Sequence, residues 1–257
     1  MTSPSLDILA IAAHRDDVEQ TCGGVLLKAA QRGQRTGILD LTQGEMGTRG
    51  TAEDRAGEAS DAARILGACW RRALDIPDGR VENTWENRLK VAGVIRETRP
   101  RVVILPYWKG RHPDHYTTSI LGYEACFLAG LAKLALSPQP STLSQSNSAG
   151  AASAVLATHR PFKIIYATLY YDVRPTFVVD ISEQFEQKFA SILAYKSQFS
   201  DQEAGKDLFP AHDEIHARVE SMARYYGMLG GVTYAEPFLQ KEVGLVEDLV
   251  AIPVKSI

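Results

Sequence analysis

The chain has 257 residues, of which 45% are hydrophobic and 23% are charged, and its formal net charge is −3. This composition is typical of a globular protein and excludes a collagen-like, coiled-coil or wholly disordered chain. The slightly acidic balance lacks the basic footprint of a nucleic-acid-binding protein.

The cysteines and the N-terminus predict a cytoplasmic protein. Three cysteines without paired spacing argue against a disulfide framework and favour a reducing compartment. The first residues lack the basic start and long apolar run of a secretory signal. No stretch approaches the ~20 apolar residues of a membrane helix, so we expect no membrane partner.

Strand-like and helix-like segments alternate along the chain. Short apolar runs predict strands at 6–13, 36–42, 69–76, 101–107, 163–169 and 177–181, and a short edge strand at 234–239. Apolar residues at helical spacing predict helices at 18–30, 52–66, 85–97, 116–134, 183–199 and 213–228. Such alternation indicates βαβ units, and we predict an α/β fold with a doubly wound, mainly parallel, Rossmann-like sheet.

We expect one domain over residues 1–257. The uncharged segment 137–158, rich in Ser, Ala, Gln and Pro, interrupts the pattern and predicts a flexible surface insertion.

The turn after the first strand carries acidic residues instead of glycines. It reads Ala13-His14-Arg15-Asp16-Asp17, at the edge where doubly wound sheets bind ligands. A dinucleotide site would place glycines there, so that backbone N–H groups could approach a phosphate. Carboxylates would repel phosphate and attract a cation, so the turn predicts a metal site and disfavours a nucleotide-binding oxidoreductase.

A second polar cluster, residues 110–115, follows the strand that ends at 107. If the first and fourth strands are neighbours, His14, Asp17 and His115 supply two imidazoles and one carboxylate, a set that leaves a zinc position open for water. Iron also suits this set. Asp16 then remains as a general base, and His112, as imidazolium, can stabilise an oxyanion.

Each cluster has a structural explanation when taken alone. An Asp-Asp pair before a helix often serves only as an N-cap and a first-turn carboxylate, and His-Pro-Asp-His is often a turn. Three of the six histidines, however, fall at the ends of two predicted parallel strands. This coincidence favours a site.

The chain resembles the PIG-L/LmbE-like zinc-dependent N-acetylglucosamine deacetylases. The segments AHRDDVE and HPDH are similar to the two signatures of that family. Further segments resemble its bacillithiol-biosynthesis branch, whose members deacetylate N-acetylglucosaminyl-malate, at 6–9, 40–42, 47–51, 111–115, 159–161, 177–181, 195–199 and 234–238. The similarity spans about residues 6 to 239, except for the insertion.

The resemblance implies a role for each matching residue. It implies zinc ligands at His14, Asp17 and His115, a general base at Asp16 and an oxyanion-stabilising residue at His112. It further implies that Arg49 contacts the sugar, and Tyr195 would lie near the acetyl oxygen. Arg111, beside the site, is expected to bind a malate carboxylate, because a guanidinium binds carboxylates bidentately.

The resemblance also implies a small anionic amino-sugar conjugate as substrate and a homo-oligomer, such as a hexamer. Where the family has proline, this chain has Arg15, a change that affects rigidity more than chemistry and could add positive charge near the mouth of the site.

Three alternatives stay open. The same chemistry could act on free N-acetylglucosamine, on chitobiose or on the amide of a thiol conjugate. The chain could instead be a non-catalytic metal- or sugar-binding module, which would leave Asp16 unexplained. A nucleotide-binding oxidoreductase is disfavoured by the acidic turn.

Overall fold

The computed structural model of the protein describes residues 5–138, 155–169, 173–200 and 211–252. Its strands are β1 (Ile8–Ala12), β2 (Thr36–Asp40), β3 (Trp70–Ala73), β4 (Val102–Pro106), β5 (Lys163–Ala167), β6 (Phe177–Asp180) and β7 (Ala235–Leu239). Its helices are α1 (Asp17–Gln31), α2 (Ala52–Ile65), α3 (Trp85–Thr98), α4 (Pro113–Ala129), α5 (Phe185–Leu193), α6 (Lys196–Phe199) and α7 (His212–Gly230).

The strands form one seven-stranded sheet in the order β3-β2-β1-β4-β5-β7-β6. Strands β1 to β5 pair in parallel, and β7 runs antiparallel to both of its neighbours. The first and fourth strands are neighbours, and the chain passes to opposite sides of β1 on the way to β2 and β4. The doubly wound, mainly parallel sheet is therefore confirmed, with its switch point between β1 and β4.

Both faces of the sheet are covered. In β1, Leu9 and Ile11 pack into one apolar cluster with residues of α3 and α4, whereas Ala10 and Ala12 pack into another with residues of α1. Successive side chains of a strand point to opposite faces, so an uninterrupted apolar run is what a doubly covered strand requires.

Three predicted elements differ from the structure. Strand β7 lies between β5 and β6, so its prediction as an edge strand is wrong, and β6 forms that edge. The helix predicted at 116–134 begins at Pro113 and ends at Ala129, and the helix predicted at 183–199 is split into α5 and α6. Most of the predicted flexible insertion, residues 139–154, lies outside the described residues.

Helix α1 contains a break, and side chains from α5 and β7 form hydrogen bonds with the backbone groups that the break leaves without helical partners. Cys22 has non-helical angles (φ −143°, ψ 16°). In a continuous helix the Gly24 N–H would donate to the Gln20 carbonyl. Here Glu236 of β7 accepts from Gly24 at 2.8 Å, and the Lys188 ammonium of α5 donates to the Gln20 carbonyl at 2.9 Å.

The two side chains also pair with each other at 2.6 Å, and both are buried. Glu236 additionally accepts from the Val25 N–H at 2.8 Å. A methyl group on Gly24 would lie 2.9 Å from Ile181, which explains the glycine. The ion pair thus replaces a backbone hydrogen bond in the helix that begins at the candidate site.

Among the residues that the structure describes, no helix combines the length and the apolar character needed to cross a bilayer.

Candidate active site

The turn between β1 and α1 places three polar side chains at the switch point. His14 is buried, and its backbone N–H donates to the Asp17 carboxylate at 3.0 Å. Asp17 begins α1. Asp16, between them, has a φ of 126°, a conformation that residues with a side chain rarely adopt. Such backbone strain clusters at functional sites.

Donor atoms of three residues, which we call the donor triangle, converge beside this turn, with both carboxylate oxygens of Asp17 involved. His14 Nδ1 lies 3.2 Å from His115 Nε2, and His115 Nε2 lies 3.2 Å from Asp17 Oδ1. His14 Nδ1 lies 3.4 Å from Asp17 Oδ2. The structure therefore brings together the three residues that the sequence predicts as ligands.

The spacing of these atoms fits a divalent metal ion. A tetrahedral ion with ligands at about 2.0–2.1 Å separates its donor atoms by roughly 3.3–3.4 Å, close to the observed triangle. Burial alone would raise the pKa of Asp17, but the charge and hydrogen bond of His115 and the hydrogen bond of His14 hold that pKa well below its usual range. A carboxylate between two imidazoles is a donor set for a cation.

The second nitrogen of His14 faces two carboxylates. Its Nε2 lies 3.0 Å from Asp78 and 3.3 Å from Asp114. Burial would lower the pKa of His14, but its hydrogen bonds to Asp114, Asp17 and Asp78 raise that pKa to about 12. Without a bound cation Nδ1 therefore carries a proton, which a metal ion would displace on binding. The carboxylates on the second nitrogen fix the ring orientation and keep Nδ1 directed at the site.

Asp114 is itself anchored. It is buried and accepts from the backbone N–H groups of Gly79 and Val81 at 2.8 and 3.1 Å. The loop after β3, which also carries Asp78, is thereby fastened to the first turn of α4. The loop after β3 and the first turn of α4 thus hold His14 in place.

The Asp16 carboxylate is bound by residues outside the donor triangle. Its Oδ1 accepts from Arg55 Nη2 of α2 at 3.2 Å, and its Oδ2 accepts from Gln20 Nε2 at 3.3 Å. Burial raises the pKa of the Asp16 carboxyl to about 7, against the opposing charge of Arg55. Arg55 also donates to the Arg15 carbonyl at 3.1 Å, so it fixes both the backbone and the side chain of the strained turn.

His112 caps α4 beside the donors. Its ring centroid lies 4.7 Å from that of His14 and 4.8 Å from that of His115. Burial and the charges of these two histidines lower the pKa of His112, which disfavours the imidazolium that the sequence predicts. Its Nδ1 accepts from the Asp114 N–H at 3.3 Å, so the proton of the neutral ring lies on Nε2, where it can be donated.

The predicted substrate contacts occupy different environments. Arg111 is exposed and lines a cavity of about 890 Å³ together with Asp16, His112 and His115. Arg49 is buried, and its Nη1 donates to the carbonyls of Gln198 and Ser200 at 3.1 and 3.4 Å. Gln198 lines the same cavity, so Arg49 supports the cavity wall.

Tyr195 lies in the protein interior. It has no exposed surface, and its hydroxyl donates to Glu19 at 3.2 Å. The predicted direct contact with an acetyl group does not match this position, because the ring would have to leave its packing against Ala59 and Ala62.

The sequence suggested that Arg15 adds positive charge near the mouth of the site, but its position in the structure does not allow this. Its side chain is buried and donates to the Ala52 carbonyl at 2.7 Å. Burial lowers the pKa of this guanidinium. Arg15 therefore ties the turn to the start of α2.

The sequence analysis assigned no role to three residues that contact the site: Arg55, Asp78 and Asp114. Asp114 lies within the HPDH segment, and Pro113 at a helix start indicates that Asp114 and His115 share a first turn. Asp78 sits in a Pro-Asp-Gly sequence that signals only a turn. For Arg55 no local signal exists, because its partners lie 39 and 40 residues away.

These features define an α/β protein whose switch point can hold a divalent metal beside a carboxylate that is not one of the donors. The family model for PIG-L, GlcNAc-PI de-N-acetylase, matches residues 9–126. The diacetylchitobiose deacetylase of Thermococcus kodakarensis is 31% identical over 240 residues, which cover 89% of this chain and 80% of that protein. The chain belongs to the PIG-L family.

Two solved structures are similar to this chain over nearly its whole length. The conserved protein TT1542 from Thermus thermophilus is 39% identical with a TM-score of 0.79, over 94% of this chain and 98% of that one. GalB, the 4-carboxy-2-hydroxymuconate hydratase of Pseudomonas putida, is 21% identical with a TM-score of 0.68, over 97% and 100% of the two chains. The second likeness shows the fold alone.

Proposed function

We propose that this protein is a metal-dependent deacetylase that hydrolyses the N-acetyl group of an N-acetylglucosamine conjugate. The observation that carries the proposal is the triangle formed by His14 Nδ1, Asp17 and His115 Nε2, next in sequence to the separate carboxylate of Asp16. A non-catalytic metal-binding module would need the triangle but not Asp16, whose strained backbone is held in place by Arg55.

The three donors would hold zinc or iron. A divalent cation supplies Lewis acidity, which polarises a carbonyl group and makes a water molecule more acidic. The residues of the chain complete the reaction. The oxygen of the attacking water bonds to the acetyl carbon while Asp16 accepts a proton from that water. His112 Nε2–H donates a hydrogen bond to the developing oxyanion. The C–N bond then breaks, the proton passes from Asp16 to the leaving amine, and acetate departs.

The donor set predicts a graded response of metal binding to mutation. His115→Ala removes one of three ligands and should abolish stoichiometric zinc binding. Asp78→Asn weakens the hydrogen bond behind His14, leaves an amide oxygen that can accept from the Met46 N–H, and should lower zinc affinity about 10- to 100-fold. His159→Ala is a matched control, because that ring bonds the distant Pro100 carbonyl. Competition with a zinc-chelating dye measures the zinc affinity of all three variants. Equal zinc affinities in the three would contradict the proposed site.

For the substrate we propose N-acetylglucosaminyl-malate. The exposed Arg111 guanidinium at the large cavity supports an anionic group beside the sugar. The relative from Thermococcus kodakarensis, a diacetylchitobiose deacetylase, supports the neutral alternative. Free N-acetylglucosamine and thiol conjugates remain further candidates of the same chemistry.

Amine release by the zinc-loaded protein tests both the proposed deacetylase activity and the proposed substrate. N-acetylglucosaminyl-malate, diacetylchitobiose and free N-acetylglucosamine are compared side by side. We expect the malate conjugate to have the highest kcat/KM, and Arg111→Ala to lower that value at least about 10-fold without affecting diacetylchitobiose. A preference for diacetylchitobiose would reassign the substrate, and no amine release from any of the three would reject the deacetylase.

We further propose a cytoplasmic homo-oligomer, such as a hexamer. Sedimentation equilibrium on the full chain tests the assembly, and a monomer at micromolar concentration would contradict it.

A further inference from the structure

The segment after β7, residues 242–252, which we call the arm, presents apolar side chains to solvent. Between residues 243 and 250 five apolar side chains are more than half exposed: Val243, Leu245, Val246, Leu249 and Val250. The hydrogen bonds that the arm forms within the described part of the chain are local, from the Val250 N–H to Asp248 and from the Ile252 N–H to the Leu249 carbonyl. Single exposed apolar residues are common, but a contiguous run of them marks an interaction site.

An apolar groove of about 440 Å³ lies at the other edge of the sheet from the candidate active site. The second half of α4 and the residues around the start of β5 form its walls, and Tyr123, Phe127 and Phe162 are among them. The first residue of β5, Lys163, lines the groove, which places it at the amino edge of the parallel strands. Among the described residues, none lines both this groove and the large cavity beside Asp16.

The groove continues along α4 as an apolar stripe. Its members follow one another at helical spacing and are all exposed: Tyr116, Ile120, Tyr123 and Phe127. The stripe is roughly 17 Å long, and the apolar run of the arm reaches roughly 23 Å when it is extended. One arm can therefore cover both the stripe and the groove.

The charges of the arm and of the groove are complementary. The arm has no basic residue and three acidic ones, Glu242, Glu247 and Asp248. In the groove Arg88 pairs with Glu124 at 2.6 Å. Arg160 stacks on the Phe127 ring at 4.9 Å, and in the described part of the chain neither Arg160 nor Lys163 forms an ion pair. An acidic arm and a groove with two such cations attract each other.

The arm begins at the groove of its own copy and then leaves it. The Lys241 ammonium lies 4.5 Å from the ring centroid of Tyr123 and 5.0 Å from those of Trp108 and Tyr166, which anchors the chain at this point. Glu242 lines the groove, but the next residue, Val243, is 96% exposed. The apolar run of the arm therefore does not fill the groove from which it starts.

We propose that the arm of one copy binds in the groove of a second copy of this chain, and that the two copies exchange arms around a twofold axis. This inference deepens the proposed homo-oligomer and does not depend on the deacetylase activity. In a twofold contact each copy gives an arm and receives one, so the apolar contact and the charge attraction are made twice. Because each arm starts at a groove, an axis beside residue 242 brings both arms and both grooves together.

Two substitutions weaken this contact from its two sides. Leu249→Lys places a cation in the arm against the cations of the groove, and Phe162→Asp places a carboxylate in the groove against the acidic arm. Both side chains are exposed, so the fold should be retained. We expect each variant to raise the dissociation constant for self-association at least about 10-fold. Met228→Lys, at an exposed position of α7, is the matched control and should leave that constant unchanged. Sedimentation of the full chain over a range of concentrations measures all three.

A mixture of the two variants tests exchange between copies. Their heterodimer pairs an unchanged arm with an unchanged groove, and the introduced lysine with the introduced aspartate. We therefore expect the mixture to associate at least about 10-fold more tightly than either variant alone. A fluorescent label on one variant reports the heterodimer.

The other outcomes separate the arm exchange from the proposed assembly. Self-association that neither variant changes, or a mixture that associates no more tightly than its components, would reject the exchange and leave the homo-oligomer in place. A wild type that is monomeric at every concentration would reject both. Protection of the arm from protease in that monomer, lost in Phe162→Asp, would place the arm in the groove of its own copy.

Discussion

Asp16→Asn is expected to lower kcat by about 10²–10⁴-fold, the range that a positioned general base contributes, and to leave the zinc content unchanged. The amide has the shape of the carboxyl group, and its oxygen can still accept from Arg55. It cannot accept a proton from water. Because the donor triangle uses His14, Asp17 and His115, the substitution removes no ligand.

Two measurements on each variant make the result decisive: kcat from amine release, and bound zinc from elemental analysis. Asp61→Asn is the matched control, because Asp61 forms only an exposed ion pair with Arg64 and should keep both values. An unchanged kcat in Asp16→Asn would exclude Asp16 as the base. Loss of zinc together with activity would make Asp16 a ligand.

The local pattern of the sequence predicts most of the fold. The uninterrupted apolar run of β1 indicates a strand covered on both faces, and the structure packs Leu9 and Ala10 into opposite clusters. Gly33 and Gly67 end the first two helices with φ of 79° and 67°, where only glycine is free of strain. These signals lie within a few residues of what they determine.

The place of a strand in the sheet is not a local property. Pro237 lacks an N–H and so favours an edge strand, yet β7 pairs on both sides. The pairing with β5 involves only Phe238 and Leu239, so Pro237 is opposed by β6 alone, at Val178. A ladder of two residues tolerates the proline, and nothing near residue 237 encodes that arrangement.

The residues of the candidate site likewise divide into those that the local sequence predicts and those that it does not. His14 and Asp17 follow the first predicted strand, and His115 lies in the polar cluster after the fourth, so the order of the strands brings them to one edge of the sheet. Arg55 and Asp78 come from a helix and a loop elsewhere in the chain, and only folding places them against Asp16 and His14. The sequence therefore predicts the donors and misses the residues that orient them.

Loss of the Lys188–Glu236 ion pair, which stabilises the break in α1, is expected to have the largest effect on stability. Glu236→Ala leaves the Lys188 ammonium buried without its partner, 5% exposed, and removes the acceptor of the Gly24 and Val25 N–H groups. Breaking a buried pair in this way costs about 3–5 kcal/mol, a large fraction of the total stability of a typical domain. Glu214→Ala, which breaks an exposed pair with Arg218, should cost less than about 1 kcal/mol. Urea unfolding measures both.

A double substitution separates the interaction energy of the Lys188–Glu236 pair from the contribution that each side chain makes through its own backbone contact. In Lys188→Met with Glu236→Gln the charges are gone, and the glutamine oxygen can still accept from Gly24. We expect the double variant to be more stable than the sum of the two single changes predicts, by roughly 0.5–3 kcal/mol, because the residues are in direct contact. Additive losses would show that each side chain acts through its own backbone contact: Lys188 through the Gln20 carbonyl, Glu236 through the Gly24 N–H. The break in α1 would then be stabilised by two independent caps, and the charge of either residue would be incidental.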